Sequence, residues 1–280
     1  MTRRSFVPTL AALAPAALAA QSRPPKGKLK QSVTRGCFRQ PQRQWTLDEM
    51  CRHAAELGFQ GFDLIGPADF PLLKKYGLVP TMVPGAMSIA DGIITRENHA
   101  AMENKLRDLI DAAAAAGAPN VIALSGNRRG MSDEQGIENS VLFFNRIKKH
   151  VEDKGVAICL ELLNSKVNHP DYMCDRTRWG VEVMRRVNSP RVKLLYDIYH
   201  MQIMEGDIIR TIRDNFQYLA HFHTAGNPGR HEMDDTQEMN YRGIARALAE
   251  LNFTGYIAHE YTPLGDPLQA LEQARKIFEV

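Results

Sequence analysis

Eight short β-rich runs alternating with helical runs predict an α/β chain folded as a single (β/α)8 TIM barrel. Three observations carry this expectation. Strand candidates fall at 32–37, 61–65, 78–83, 120–124, 156–162, 192–197, 218–223 and 255–260, with helical patterns between them. Strands separated by helices pair in parallel, because each crossover returns the chain to the same edge. The alternative, a doubly wound open sheet, would want a Gly-rich phosphate turn after an early strand, and no G-x-G-x-x-G or G-x-x-x-x-G-K-[ST] occurs.

The elements follow in order. Residues 1–20 open with Arg3 and Arg4, run through an uncharged Ala/Leu-rich stretch and contain the small-residue segment Ala17-Leu18-Ala19. This layout predicts a twin-arginine-type signal peptide, and hence a periplasmic or exported protein. The apolar run, about 14 residues, is shorter than the roughly 20 needed to span a bilayer. A buried N-terminal helix is the alternative, but the run has no polar face and no capping residue before it. Residues 21–28, with Pro24, Pro25 and three basic side chains, read as a linker, and the barrel domain is expected over 29–280. Within it a helix at 47–57 follows Thr46 and stops at Gly58. Helices at 98–116 and 132–154 stop at Gly117 and Gly155, a common helix ending. Helices at 178–187, 208–215, 242–251 and 267–278 complete the set, with no internal repeat and no second domain.

The hydrophobic share of 44% and charged share of 24% suit a globular core. They exclude long disorder, a collagen-like repeat or a coiled coil as the main architecture. The formal charge of +3 falls to about +1 without Arg3 and Arg4. That predicts no nucleic-acid footprint. No stretch beyond the leader is apolar enough for stable membrane insertion. Cys37, Cys51, Cys159 and Cys174 form neither a CxxC pair nor a disulfide framework. Cys159, in an apolar run, is expected to pack as a small hydrophobe. A single bridge such as Cys159 to Cys174 stays open at this stage, as does a homo-oligomer.

The chemistry lies in the second half. Glu161, Asp197, His223 and Glu260 each end an apolar strand, at gaps of about one strand, helix and loop. They should occupy equivalent places at the C-terminal ends of strands five to eight, where barrel active sites sit. Singly, each carboxylate reads as a loop residue and the His as a satisfied core residue. Together, three carboxylates repel and call for a divalent cation. Three oxygens and one imidazole nitrogen favour Mn²⁺ or Mg²⁺ and allow Co²⁺ or Zn²⁺. His200, three residues after Asp197, can face the same mouth; alone it is an ordinary loop His. Arg230, in the turn Gly226-Asn227-Pro228-Gly229-Arg230, could grip a substrate carboxylate or phosphate in a two-pronged contact. Arg128, after strand four, is a weaker candidate.

Tyr196-Asp197-Ile198-Tyr199-His200-Met201-Gln202, continuing to Met204-Glu205-Gly206, resembles the hydroxypyruvate isomerase family, within the xylose-isomerase-like sugar isomerase/epimerase TIM barrels. Supporting matches are Leu160-Glu161-Leu162-Leu163-Asn164, Asn227-Pro228-Gly229-Arg230, Glu238-Met239-Asn240-Tyr241 and His259-Glu260-Tyr261. The resemblance implies an enzyme of carbohydrate metabolism. Glu161 and Glu260 become paired acid/base groups and metal ligands, and Asp197 a metal ligand. His200 and Arg230 become substrate contacts. Two departures stand out: Leu162 replaces the family's Pro after the first glutamate, and His223 stands where this family often has Gln and related epimerases have His. An export signal is a third oddity among mostly cytoplasmic enzymes.

The implied reaction moves a proton between adjacent carbons of an α-hydroxycarbonyl through an enediolate, converting hydroxypyruvate to tartronate semialdehyde. The alternative on the same site is a ketose 3-epimerase or an inosose-type epimerase or dehydratase. A metal-dependent endonuclease would need more His ligands and a basic groove. A non-catalytic sugar-binding protein would not need two facing glutamates. The expected partner is therefore a small hydroxy-keto acid or sugar substrate.

Overall fold

In the computed structural model, which describes residues 27–280, the alternation becomes eight parallel strands. They are β1 (Lys30–Val33), β2 (Gly61–Asp63), β3 (Val79–Met82), β4 (Asn120–Ala123), β5 (Ala157–Glu161), β6 (Val192–Asp197), β7 (Leu219–Thr224) and β8 (Tyr256–His259). The α-helices among the described residues are α1 (Leu47–Leu57), α2 (Phe70–Lys75), α3 (His99–Ala116), α4 (Asp133–Lys154), α5 (Thr177–Val187), α6 (Ile198–Met204), α7 (Ile208–Asn215), α8 (Tyr241–Glu250) and α9 (Pro267–Ile277). The strands run in the order β3-β2-β1-β8-β7-β6-β5-β4. A parallel bridge between Val83 and Val121 closes the ring, with Val83 N donating to Asn120 O at 2.9 Å and Ile122 N to Val83 O at 3.0 Å. The expected signal peptide and most of the linker lie outside the described residues. No helix among the described residues is long and apolar enough to cross a membrane.

Helix ends follow local chemistry. Thr46 accepts from the Glu49 amide while Glu49 reaches back to the Thr46 amide, a reciprocal cap, and Gly58 closes α1 in the left-handed region at φ 90°. The strand expected over 32–37 stops at Val33 instead. Thr34 N takes the last sheet bond, to His259 O at 3.0 Å. β8 ends there, so the chain has no further neighbour and turns into a single 3-10 turn at Arg35–Phe38. Helices α2 and α6 were not expected. Both are short, and α6 follows β6 with no separating turn, because Asp197 ends the strand and caps the helix by accepting from His200 N. All four cysteines are buried and free, so the bridge left open is not formed.

Alternation along each strand separates two layers. Outward residues pack under the helices in one large core that includes Val33, Phe62, Ile158 and Phe222, all fully buried. Inward residues fill the barrel, and a small apolar cluster of Ile122, Ala157, Cys159 and Leu195 plugs one side of it. Beside that plug the interior is polar. Ser32, Asp63, Thr81, Asn120, His221 and His223 are all buried. Thr81 Oγ1 donates to Asp63 Oδ1 and lies 3.0 Å from Ser32 Oγ, while Asn120 Nδ2 donates to Thr81 O at 3.0 Å. Gly61 is required here, since a Cβ would stand 2.3 Å from Thr81 Cγ2 and 2.8 Å from Val79 O.

His259 belongs to the outer layer. Its Nδ1 accepts from Thr224 Oγ1 at 2.8 Å and its Nε2 donates to Gln31 Oε1 at 3.0 Å, so the neutral ring is fully satisfied. Burial pushes the imidazole down to about 3. The unfolded chain binds this proton below about pH 6.5, whereas the folded chain refuses it until about pH 3. Stability from this group is therefore complete above that window and falls as the pH drops through it, by up to about 1.4 kcal/mol per pH unit. His259→Gln should flatten the fall in urea-unfolding free energy between about pH 6 and about pH 4 by roughly one proton's worth.

Candidate functional site

The ends of β5 to β8 bring Glu161, Asp197, His223 and Glu260 together, each offering one ligand atom, all within 4.8 Å of one another. Strand alternation does this, because 161, 197 and 223 point inward at the C-terminal rim and Glu260 follows β8 directly. His223 Nδ1 faces Glu161 Oε1 at 3.1 Å, Glu260 Oε2 at 2.8 Å and Asp197 Oδ2 at 4.0 Å. The Asp197 and His223 side chains are sealed from solvent and Glu161 nearly so, whereas Glu260 keeps 24% of its side chain exposed. Glu260 therefore forms the side of the cluster open to solvent.

The other face of His223 is held by a residue the sequence reading passed over. Its Nε2 donates to Asp63 Oδ2 at 2.8 Å. His221 Nε2 lies 3.2 Å from Asp63 Oδ1. Asp63, His221 and His223 form a second ligand-type cluster that shares His223 with the first. Two signals were present: Asp63 ends a strand as Glu161 and Asp197 do, and His221-Phe222-His223 puts both imidazoles on one strand face.

Charge follows contact. Burial would raise the Asp63 carboxyl, but His221 and His223 outweigh it and hold it well below the carboxylate range. Burial would lower His223, but Glu260, Asp63 and Glu161 outweigh it and hold the imidazole well above its ordinary value. Burial pushes Glu161 and Asp197 up. Glu260 is held at about 2, because His223 and Arg230 overcome its burial.

Arg230 and His200 complete the wall. Arg230 Nη2 donates to Glu260 Oε2 at 2.7 Å and to Asp197 Oδ2 at 3.3 Å, and its Nε donates to Glu260 O at 3.3 Å. Its backbone is left-handed at φ 59°, fixed by Arg230 N to Gly226 O at 2.9 Å and Thr262 N to Arg230 O at 3.0 Å. His200 is buried in the first turn of α6. Its Nδ1 accepts from Asn164 N at 3.2 Å, so the proton sits on Nε2. That Nε2 has no hydrogen-bond partner among the described residues and stands 3.6 Å from Asp197 Oδ2. Burial and Arg230 keep the ring neutral. Arg128 is not part of this site: it pairs with Asp133 and Asp175 and lines a separate cavity.

The donor set fits a hard divalent cation. Three carboxylates converge with one imidazole nitrogen, and the positive charge facing them comes from the His223 proton and Arg230. Asp63 behind His223 supplies the partner that a metal-bound imidazole ordinarily has on its far nitrogen. Asp63→Asn keeps an acceptor but loses the charge, and should weaken Mn²⁺ affinity by about 10–100-fold in a chelator competition.

Comparison with known proteins agrees with the barrel. The chain is 35% identical over 128 residues to a Danio rerio protein carrying a provisional hydroxypyruvate isomerase name, covering 46% of each. It thus spans about half the length of the first such relatives. It is 27% identical over 243 residues to the 2-oxo-tetronate isomerase of Pectobacterium atrosepticum, covering 81% of this chain and 90% of that one. The solved structure of a family 2 AP endonuclease from Brucella melitensis superposes with TM-score 0.74 at 25% identity, covering 87% and 97% of the two chains. The family model described as xylose isomerase-like TIM barrel matches residues 51–279, and the chain belongs to that family.

Proposed function

We propose that this chain is a metal-assisted isomerase of a hydroxy-keto acid, interconverting hydroxypyruvate and tartronate semialdehyde. The observation that carries this reading is the convergence of Glu161 and Glu260 on one imidazole at the barrel mouth, two carboxylates facing one small space. The 2-oxo-tetronate isomerase and hydroxypyruvate isomerase names of the relatives support a keto acid over a neutral ketose.

Glu161, Asp197, His223 and Glu260 would hold the cation. When bound, it supplies Lewis-acid stabilisation of negative charge on the substrate's carbonyl oxygen. One glutamate removes a proton from C3 and the other delivers one to C2, while the hydroxyl proton passes from O3 to O2, so the reaction balances with no co-reactant. His200 Nε2–H, neutral and unpartnered among the described residues, would donate to a substrate oxygen. Arg230 holds Glu260 from the side and fixes the carboxylate that is open to solvent.

Glu→Gln keeps size and one ligand oxygen but cannot act as a base. Glu161→Gln and Glu260→Gln should each lose about 10²–10⁴-fold in turnover of hydroxypyruvate at saturating Mn²⁺. Asp197→Asn should lose metal affinity first and recover partly as Mn²⁺ is added. Near-normal turnover in both glutamine variants would sink the proton-transfer assignment. We also propose export by the twin-arginine route, on Arg3, Arg4 and the short apolar run. Replacing both arginines by Lys should leave the precursor in the cytoplasm, read by fractionation.

A further inference from the structure

A cavity of about 400 Å³ opens beside Glu260, between the ends of β1, β2 and β8, and its charges do not balance. Arg35, Arg39, Asp63, Arg230 and Glu260 all line it. Glu260 is taken by His223 and Arg230. Asp63 is taken by His223 and Thr81 and faces His221. Arg35 pairs with Asp69 at 2.6 Å. Arg230 spans Asp197 and Glu260. Arg39 alone of these has no side-chain partner among the described residues.

Its backbone is nevertheless firmly placed. Arg39 closes the 3-10 turn, donating its N–H to Gly36 O at 3.0 Å. The two residues before it are buried: Cys37 Sγ donates to His259 O at 3.0 Å, and Phe38 stacks on Phe62 at 6.1 Å between centroids. A long cationic side chain is thus carried to the cavity on a rigid stem. The opposite wall is strained, with Leu64 left-handed at φ 55°. A side-chain-bearing residue held in that region requires its surroundings to force it, and such positions gather at functional sites.

We propose that Arg39 binds the carboxylate of the substrate, which places the reacting carbons against Glu161 and Glu260. A guanidinium presents two parallel N–H donors that match a carboxylate, and an unpaired one meets an anion without first breaking an ion pair. Arg230, already held by two acids of the site, is left to orient Glu260. This rests on the reading of the site as one for a hydroxy-keto acid. It goes further in naming the residue that separates an anionic substrate from a neutral sugar.

D-Glycerate and glycerol test it, because neither can isomerise and they differ only in a carboxylate against a hydroxymethyl group. Their affinities are measured by isothermal titration at saturating Mn²⁺. Arg39→Gln should weaken glycerate binding by about 10–100-fold, as expected for loss of a charged hydrogen bond, and leave glycerol binding as it was. Arg39→Lys should restore part of the loss. Arg35→Gln, whose charge is already shared with Asp69, should change glycerate binding less than about threefold. Glycerate bound equally by wild type and Arg39→Gln overturns the proposal. So does equal weakening of both probes, or a wild type that prefers neither. Arg39-dependent glycerate binding in a protein that fails to isomerise hydroxypyruvate upholds this inference and overturns only the reaction.

Discussion

Three carboxylates gathered round one buried imidazole set the terms for everything else in this barrel. Unit charges about 4 Å apart interact by roughly 4 kcal/mol at the effective dielectric of a protein site. Glu161, Asp197 and Glu260, mutually within 4.8 Å, can stay ionised together only beside compensating positive charge. His223 supplies it from the centre and Arg230 from the side. His223 can be a cation in the sealed interior because Glu260 and Glu161 face one of its nitrogens and Asp63 the other. Asp63 is in turn held by Thr81, and Thr81 needs the space left by Gly61. A polar chain therefore runs from the barrel mouth down into an interior that in most such barrels is apolar.

Three of the four convergent residues, Glu161, Asp197 and His223, sit on strands, and Glu260 directly follows one. A side chain at the C-terminal end of a strand inherits the rigidity of the ladder, and the register β5–β6–β7–β8 fixes the spacing of Glu161, Asp197 and His223. The loops then add only what a strand cannot. Asp197 accepts from the first turn of α6 with one oxygen and faces the site with the other, so the same carboxylate starts the helix that carries His200. Tyr172, from the loop after β5, donates to Glu161 O at 3.1 Å and pins the end of that strand.

Much of this was legible in the sequence. Strand and helix alternation pointed to eight strands near their observed places, because buried parallel strands are short apolar runs and glycine ends three of the helices, α1, α3 and α4. The spacing of Glu161, Asp197, His223 and Glu260, about one strand, helix and loop each time, pointed to one shared mouth. What escaped reading was of two kinds. Helices α2 and α6 are too short for a period to emerge, and the ending of β1 at Val33 depends on where its neighbour β8 stops. Asp63 and His221 escaped because their role is defined by a contact across the barrel, Asp63 and His223 being 160 positions apart in the chain. The strand-end position of Asp63 and the alternation of His221 with His223 were signals, but neither says which residue lies opposite across the barrel.

The division between floor and rim also bears on how a barrel of this kind accommodates different substrates. The acids and the imidazole are locked by the sheet and by one another, so replacing any of them disturbs the charge balance of the whole set. Arg39 and Leu64 stand just beyond the strand ends, on backbone that has left the ladder, and no residue of the polar chain depends on Arg39. A change at Arg39 alters the charge lining the cavity without altering the charges that hold the site. In the proposed reaction, proton transfer is constrained by the interior, while the proposed choice between an anionic and a neutral substrate rests on Arg39, in the turn after β1, where no other charge of the site depends on it.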